Sequence, residues 1–251
     1  MHLGNGAITP ECVVLTVCAG GAGLALAAVG GRREFASRDK LLLAAGLGAL
    51  VFAAQAVNVP VWAGISAHLV GGVLLAWMLG PGLSAWTMAV VLAVQALALG
   101  DGGLAALGAN ILNMALLPAG LVALCKRASL ANAALLAGCA VPLAALLITV
   151  ETALFRPLAE LSQWSNFAAL MIGTHLWIGV WEAGLTAGLI AALAWVAEPQ
   201  AASQARPRLR AAVCCLAAAI LLAAAWPLSS RLPDGYEAAA EASGHERLLS
   251  E

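Results

Sequence analysis

Apolar residues run along this chain in eight long blocks, at about 11–30, 41–57, 61–79, 84–99, 103–125, 131–153, 167–197 and 209–228, parted by short polar or basic stretches. A helix crossing the hydrocarbon core of a bilayer needs about 20 mostly apolar residues. Each block comes close; the fourth is short and the seventh is long enough to tilt or break. Barrel strands would alternate apolar with polar positions, and these blocks do not. They are built on Ala and Leu, both good helix formers. The pattern predicts an all-α, polytopic transmembrane bundle, with about 7 core helices plus one C-terminal helix.

The polar stretches set an expected orientation. Arg32, Arg33, Arg38 and Lys40 follow the first block, Lys126 and Arg127 the fifth, and Arg206, Arg208 and Arg210 precede the eighth. All fall on one side of the membrane, leaving only Arg156, Arg231 and Arg247 for the other. Basic loops stay cytoplasmic, so both termini are expected outside, in a multi-pass protein of a bacterial cytoplasmic (inner) membrane. The N-terminus lacks a basic n-region, and Arg32-Arg33 after the first block suits a retained span rather than a cleaved signal. His2 is too large for the usual removal of the initiator Met, so Met1 is expected to keep its free amine.

Composition agrees. Of 251 residues, 63% are hydrophobic and 10% charged, against about 45–50% and 25% in soluble domains. That excludes a soluble enzyme, a disordered chain and a nucleic-acid binder, and the net charge of −1 offers no handle for a polyanion. No G-x-x-x-x-G-K-[ST] occurs, so no P-loop ATP site is expected in this chain. Cys12, Cys18, Cys125, Cys139, Cys214 and Cys215 form no C-x-x-C pair and read as small hydrophobes in helix packing. Gly20, Gly21 and Gly23 suit close helix approach.

Polar groups within apolar spans are costly, of order 2.5–3.5 kcal/mol for a central charge, and so mark candidate sites. They are His68 near the outer end of the third block, then Asn58, Gln95, Asp101, Asn110 and Asn113 in or beside the third to fifth. Glu151 ends the sixth block, and His175 and Glu182 lie seven residues apart, two helical turns, in the seventh. Asp101-Gly102-Gly103 reads as a tight turn. At the start, the α-amine of Met1, the amide nitrogen of His2 and its imidazole can chelate one metal ion through five- and six-membered rings. One further imidazole completes a square of nitrogens suited to Ni(II) or Cu(II), with Co(II) also accommodated. On the expected topology His68 lies on the same side. Spacing alone leaves interhelical hydrogen bonding open as the role of His68, and equally of His175 and Glu182.

Three blocks together carry a family resemblance. SAHLVGGVLLAWMLGP at 66–81 with VVLAVQALALGDGGLAALGANILNM at 90–114, the start MHLGNGAITPE, and GTHLWIGVWEAGLT at 173–186 resemble the CbiM/NikM family. These are the metal-binding S components of energy-coupling factor transporters for cobalt and nickel. The resemblance implies a metal site of Met1, His2 and His68, supported by Gln95, Asp101, Asn110 and Asn113, with His175 and Glu182 as structural or coupling residues. Many members begin Met-His-Ile-Pro-Asp/Glu-Gly; Leu3, Gly4 and Asn5 depart from this and leave open how the loop around Asn5 closes.

At 229–241, SSRLPDGYEAAAE resembles the PDGLE segment of the small N component of these transporters, here fused but without the helix that usually follows it. The implied domains are 1–197, a metal-binding core; 198–210, a cytoplasmic basic linker; and 211–251, an N-component-like helix with an extracytoplasmic tail. An ordinary solvated tail is the alternative for 229–251. The implied function is capture of Ni2+ or Co2+ as transported substrate. The implied partners are a transmembrane coupling (T) component, ATP-binding subunits and a separate N component, within the lipid bilayer and with no nucleic acid. Two rival readings remain: an ion-coupled secondary transporter with a His175–Glu182 proton relay, and a non-transporting metal sensor or scaffold.

Overall fold

The computed structural model describes residues 2–62, 64–126, 129–158, 164–195 and 205–249. Met1, Arg127, the 198–204 part of the basic linker and Glu251 lie outside the described residues. The fold is all-α apart from one small hairpin. Helix α1 is Pro10–Gly30, started by the Thr9 side chain and by Pro10 in its first turn, where a missing N–H costs nothing. Helix α2 is Arg38–Gln55, capped by Ser37. An antiparallel hairpin follows, β1 Val59–Trp62 and β2 Ile65–Ala67, then a short α3, Gly72–Leu79. Helix α4 is Pro81–Val94, prolonged by a π-turn to Leu99. Leu107–Leu124, with a π-turn over Ile111–Leu116, is α5. Leu130–Ala153 is α6 and Trp164–Trp195 is α7. Ala205–Ile220 is α8, extended by a π-turn, and Gly235–Ala242 is α9.

Among the described residues, six helices are long and apolar enough to cross a membrane. Their outward faces carry Val14, Leu26, Leu135, Val180 and Leu216 exposed, the surface a helix presents to lipid. The seventh block is one unbroken helix of 32 residues, and the eighth begins earlier than its apolar run, at Ala205.

The third block is not a spanning helix. Residues 59–67 are hairpin, 68–71 are irregular, and only 72–79 are helical. Gly64, Gly71 and Gly80 take positive φ values of 80°, 77° and 95°, a region open to glycine and strained for other residues. His68 therefore stands on an irregular segment, not near the end of a helix. From Ser66 to Ala76 the stretch is largely buried in protein rather than facing lipid, and hydropathy does not separate the two. Irregular backbone survives at membrane depth only when its polar groups find partners inside the protein.

The first and last basic stretches pack onto the ends of neighbouring helices. Lys40 Nζ donates to Leu79 O at 2.8 Å, Glu34 accepts from Leu83 N at 2.7 Å, and Arg210 Nε donates to Leu193 O at 2.8 Å. Glycines set the closest crossings: Gly20 meets Gly108 between α1 and α5, and Gly138 meets Gly179 between α6 and α7. Gly23 faces Leu116, while Gly21 faces open space. The C-terminal segment is folded at the opposite end, with Tyr236, Ala239, Ala240 and Leu248 buried. A solvated tail would bury none of these.

Candidate metal centre

Asn110, on the last α-helical turn of α5 before its π-turn, builds the centre from below. Its Oδ1 accepts from Leu3 N at 2.9 Å and its Nδ2 donates to Leu3 O at 3.2 Å. Gly103 N donates to the same Leu3 carbonyl at 2.8 Å. Asn5 closes the loop by accepting from Ala105 N at 2.9 Å, and a Cβ on Gly103 would run into the Asn5 backbone. The N-terminal segment is thus threaded into the bundle and tied on both sides of Leu3.

That tie delivers His2. Its side chain is only 4% exposed, and its Nδ1 lies 2.9 Å from Asp101 Oδ1. Its ring stacks on His68, with centroids 5.4 Å apart and planes at 10°. Nε2 of His2 is buried without a hydrogen-bond partner, a costly state for a polar atom. His68 Nδ1 lies 3.0 Å from Leu69 O. Burial alone would raise the pKa of Asp101; the hydrogen bond and charge of His2 outweigh it and hold the carboxyl down at about 2. Among the described residues no three His, Cys, Asp or Glu side chains group as a metal site.

The loop carrying His68 is held from three directions. Glu182 of α7 accepts from Val70 N at 2.9 Å and Gly71 N at 2.8 Å, one bond per carboxylate oxygen. Gln55, ending α2, donates to Val70 O at 2.7 Å, and Gln95 donates to Gln55 Oε1 at 2.9 Å. His175 Nδ1 is 2.7 Å from Met171 O, and the ring's far edge packs on Gly235. Asn113 lies apart from the N-terminal segment and donates to Glu151 Oε2 at 2.7 Å, tying α5 to α6.

Asn58 N donates to Ser229 Oγ at 2.8 Å and its carbonyl accepts from Ser230 N at 2.8 Å, fastening the C-terminal segment to the hairpin. Sequence reasoning passed over Gln55, which sits at the C-terminal end of an apolar block as a buried polar residue, the signal used for the others. It also passed over Ser66 and Asp234, whose association depends on residues 168 apart meeting at one bridge.

An irregular loop inside a bundle of membrane-length helices, with two stacked imidazoles beside it, defines a multi-pass membrane protein. The model of the CbiM family, described as cobalt uptake substrate-specific transmembrane region, matches residues 2–201. The chain belongs to this family of transmembrane components of cobalt uptake. A Haloquadratum walsbyi protein, named provisionally as a metal transport protein, is 33% identical over 75% of this chain and 88% of its own length. The fused nickel transport protein NikMN of Rhodobacter capsulatus is 41% identical over 30% of this chain and 22% of its own. A solved transition metal transporter superposes with a TM-score of 0.65 at 29% identity, covering 80% of this chain and 95% of that one.

Proposed function

We propose that the chain is the substrate-binding component of an ATP-driven energy-coupling factor transporter that takes up Ni2+ or Co2+. The metal is chelated by the Met1 amine, the His2 amide and imidazole, and the imidazole of His68. The observation that carries this reading is the stacked His2–His68 pair, with a buried, unpartnered imidazole nitrogen at the head of a tied-down N-terminal segment. A six-membered chelate ring through His2 uses Nδ1, the nitrogen now turned to Asp101. Loading therefore turns the imidazole about its Cβ–Cγ bond and competes with the Asp101 contact.

The reading places the basic loops inside and the metal site outside. ATP hydrolysis lies on separate subunits joined through a transmembrane coupling protein. Glu182 and His175 act by positioning the loop and the C-terminal segment, which leaves neither of them to a proton relay. Copper outcompetes nickel and cobalt at such donors, so selectivity depends on metal supply.

The test is metal binding to purified chain with native Met1, beside His2→Ala, His68→Ala and a form with one added N-terminal residue. Stoichiometric Ni2+ or Co2+ in the parent, lost in all three, is expected. Equal binding by the extended form would remove the α-amine from the ligand set and overturn the chelate. In cells, alkaline phosphatase fused after residue 249 is expected to be active, since that end faces outward; an inactive fusion would reverse the orientation.

A further inference from the structure

The C-terminal segment does more than cover the hairpin. Ser66, two residues before His68, donates its N–H to Pro233 O at 2.9 Å and its hydroxyl to Leu232 O at 2.7 Å. Ser66 and Asp234 pair as a parallel bridge. Asp234 then starts α9: its Oδ1 accepts from Tyr236 N at 2.8 Å and Glu237 N at 2.9 Å, and Glu237 accepts in return from Asp234 N at 2.8 Å. Gly235 lies so near the His175 ring that a Cβ there would stand 2.8 Å from Cε1. No side chain larger than glycine's fits without moving this turn. The result is one narrow cavity lined by Ser66, His68, Val70, His175, Asp234 and Gly235.

We infer that Asp234 is a binding residue of the metal centre, the negative group that faces His68 and offsets the charge of the bound divalent ion. This rests on the reading of His2 and His68 as ligands. A divalent ion held by a neutral amine, one deprotonated amide and two neutral imidazoles keeps one net positive charge. Asp101 is engaged by His2 Nδ1; among the described residues, Asp234 is the one carboxylate that lines the cavity with His68, 166 residues further along the chain. In a water-poor cavity an uncompensated charge is costly. The groups around a site's direct ligands tune its affinity by roughly 10–100-fold.

The experiment is competition of the full chain, with native Met1, against a chelator for Ni2+ and for Co2+, using Asp234→Asn, Glu237→Gln and His68→Ala. Asn keeps the oxygen that caps α9 and removes only the charge, so its thermal unfolding is expected to match the parent's. Asp234→Asn is expected to weaken binding about tenfold or more, while Glu237→Gln stays within about twofold. Parent-like affinity in Asp234→Asn, with His68→Ala inactive, would overturn the role of Asp234 and leave the ligand set standing. Equal weakening in Glu237→Gln would overturn it too, since any nearby charge would then serve. Parent-like binding by His68→Ala would remove the ligand set, and the Asp234 assignment with it.

Discussion

At the scale of single residues, Asn110 decides whether the N-terminal segment stays in place. Asn110→Ala leaves Leu3 O its bond from Gly103 but strips the buried Leu3 N–H of its only partner given by the structure. A buried donor left unmade costs about 1–3 kcal/mol, all of it borne by the segment that presents His2. Loss of about 5- to 150-fold in metal affinity with little change in helical content is expected, read by chelator competition and circular dichroism. Acid should act on a different group. Asp101 is held at about 2 against an ordinary 3.8, so its stabilising contact with His2 is full above the ordinary value and lost only as pH falls through 2. Asp101 is thus expected to stay ionised on acidification from neutrality to about pH 4, read by a nuclear magnetic resonance titration of its carboxyl carbon. A protonation midpoint above pH 4 would contradict this.

Much of this chemistry was legible from polar residues misplaced in apolar blocks. His68, Asp101 and Asn110 were marked that way and His2 by its place in the N-terminal chelate, and all four converge. Asn113, marked by the same logic and lying within the π-turn over Ile111–Leu116, turns instead to Glu151. Hydropathy finds a residue that needs a partner but does not say which.

At the scale of elements, the irregular loop is the part that pattern reading missed. An 8-residue helix rises about 12 Å, well short of a bilayer, and the remainder of that crossing is hairpin and bare backbone. Its cost is met by Glu182, Gln55 and Gln95, which lie on three other helices or their extensions. Pairing at that separation in sequence leaves no local signature. Glu182→Gln tests it: a carboxamide has one acceptor oxygen, so one of the Val70 and Gly71 amides meets an NH2 group instead. The variant is expected to unfold at lower temperature and to bind metal more weakly. A parent-like variant in both assays would show that the clamp is dispensable.

At the scale of the whole molecule, the C-terminal unit is joined to the core at its two ends. The docked segment grips the hairpin, and α8 lies along α2, where a Cβ on Gly46 would come within 2.7 Å of the Ala211 backbone. Main chain cannot yield as a side chain tip can, and overpacking of this kind costs about 1–3 kcal/mol. Gly46→Val is therefore expected to lift α8 away and speed tryptic cleavage at Arg208 and Arg210, while the stacked imidazoles stay in place.

Helix α7 touches three of the parts described above. It meets the C-terminal segment at His175, the His68 loop at Glu182 and the basic end at Leu193. At 32 residues it is a rod of about 48 Å. The bonds from Glu182, at 2.8 and 2.9 Å, have roughly 0.6 Å of slack before they cease to be hydrogen bonds. Sliding the rod by a single residue's rise, about 1.5 Å, spends that slack more than twice over. A push delivered at the far end would therefore reach the loop as a broken latch rather than a gentle strain.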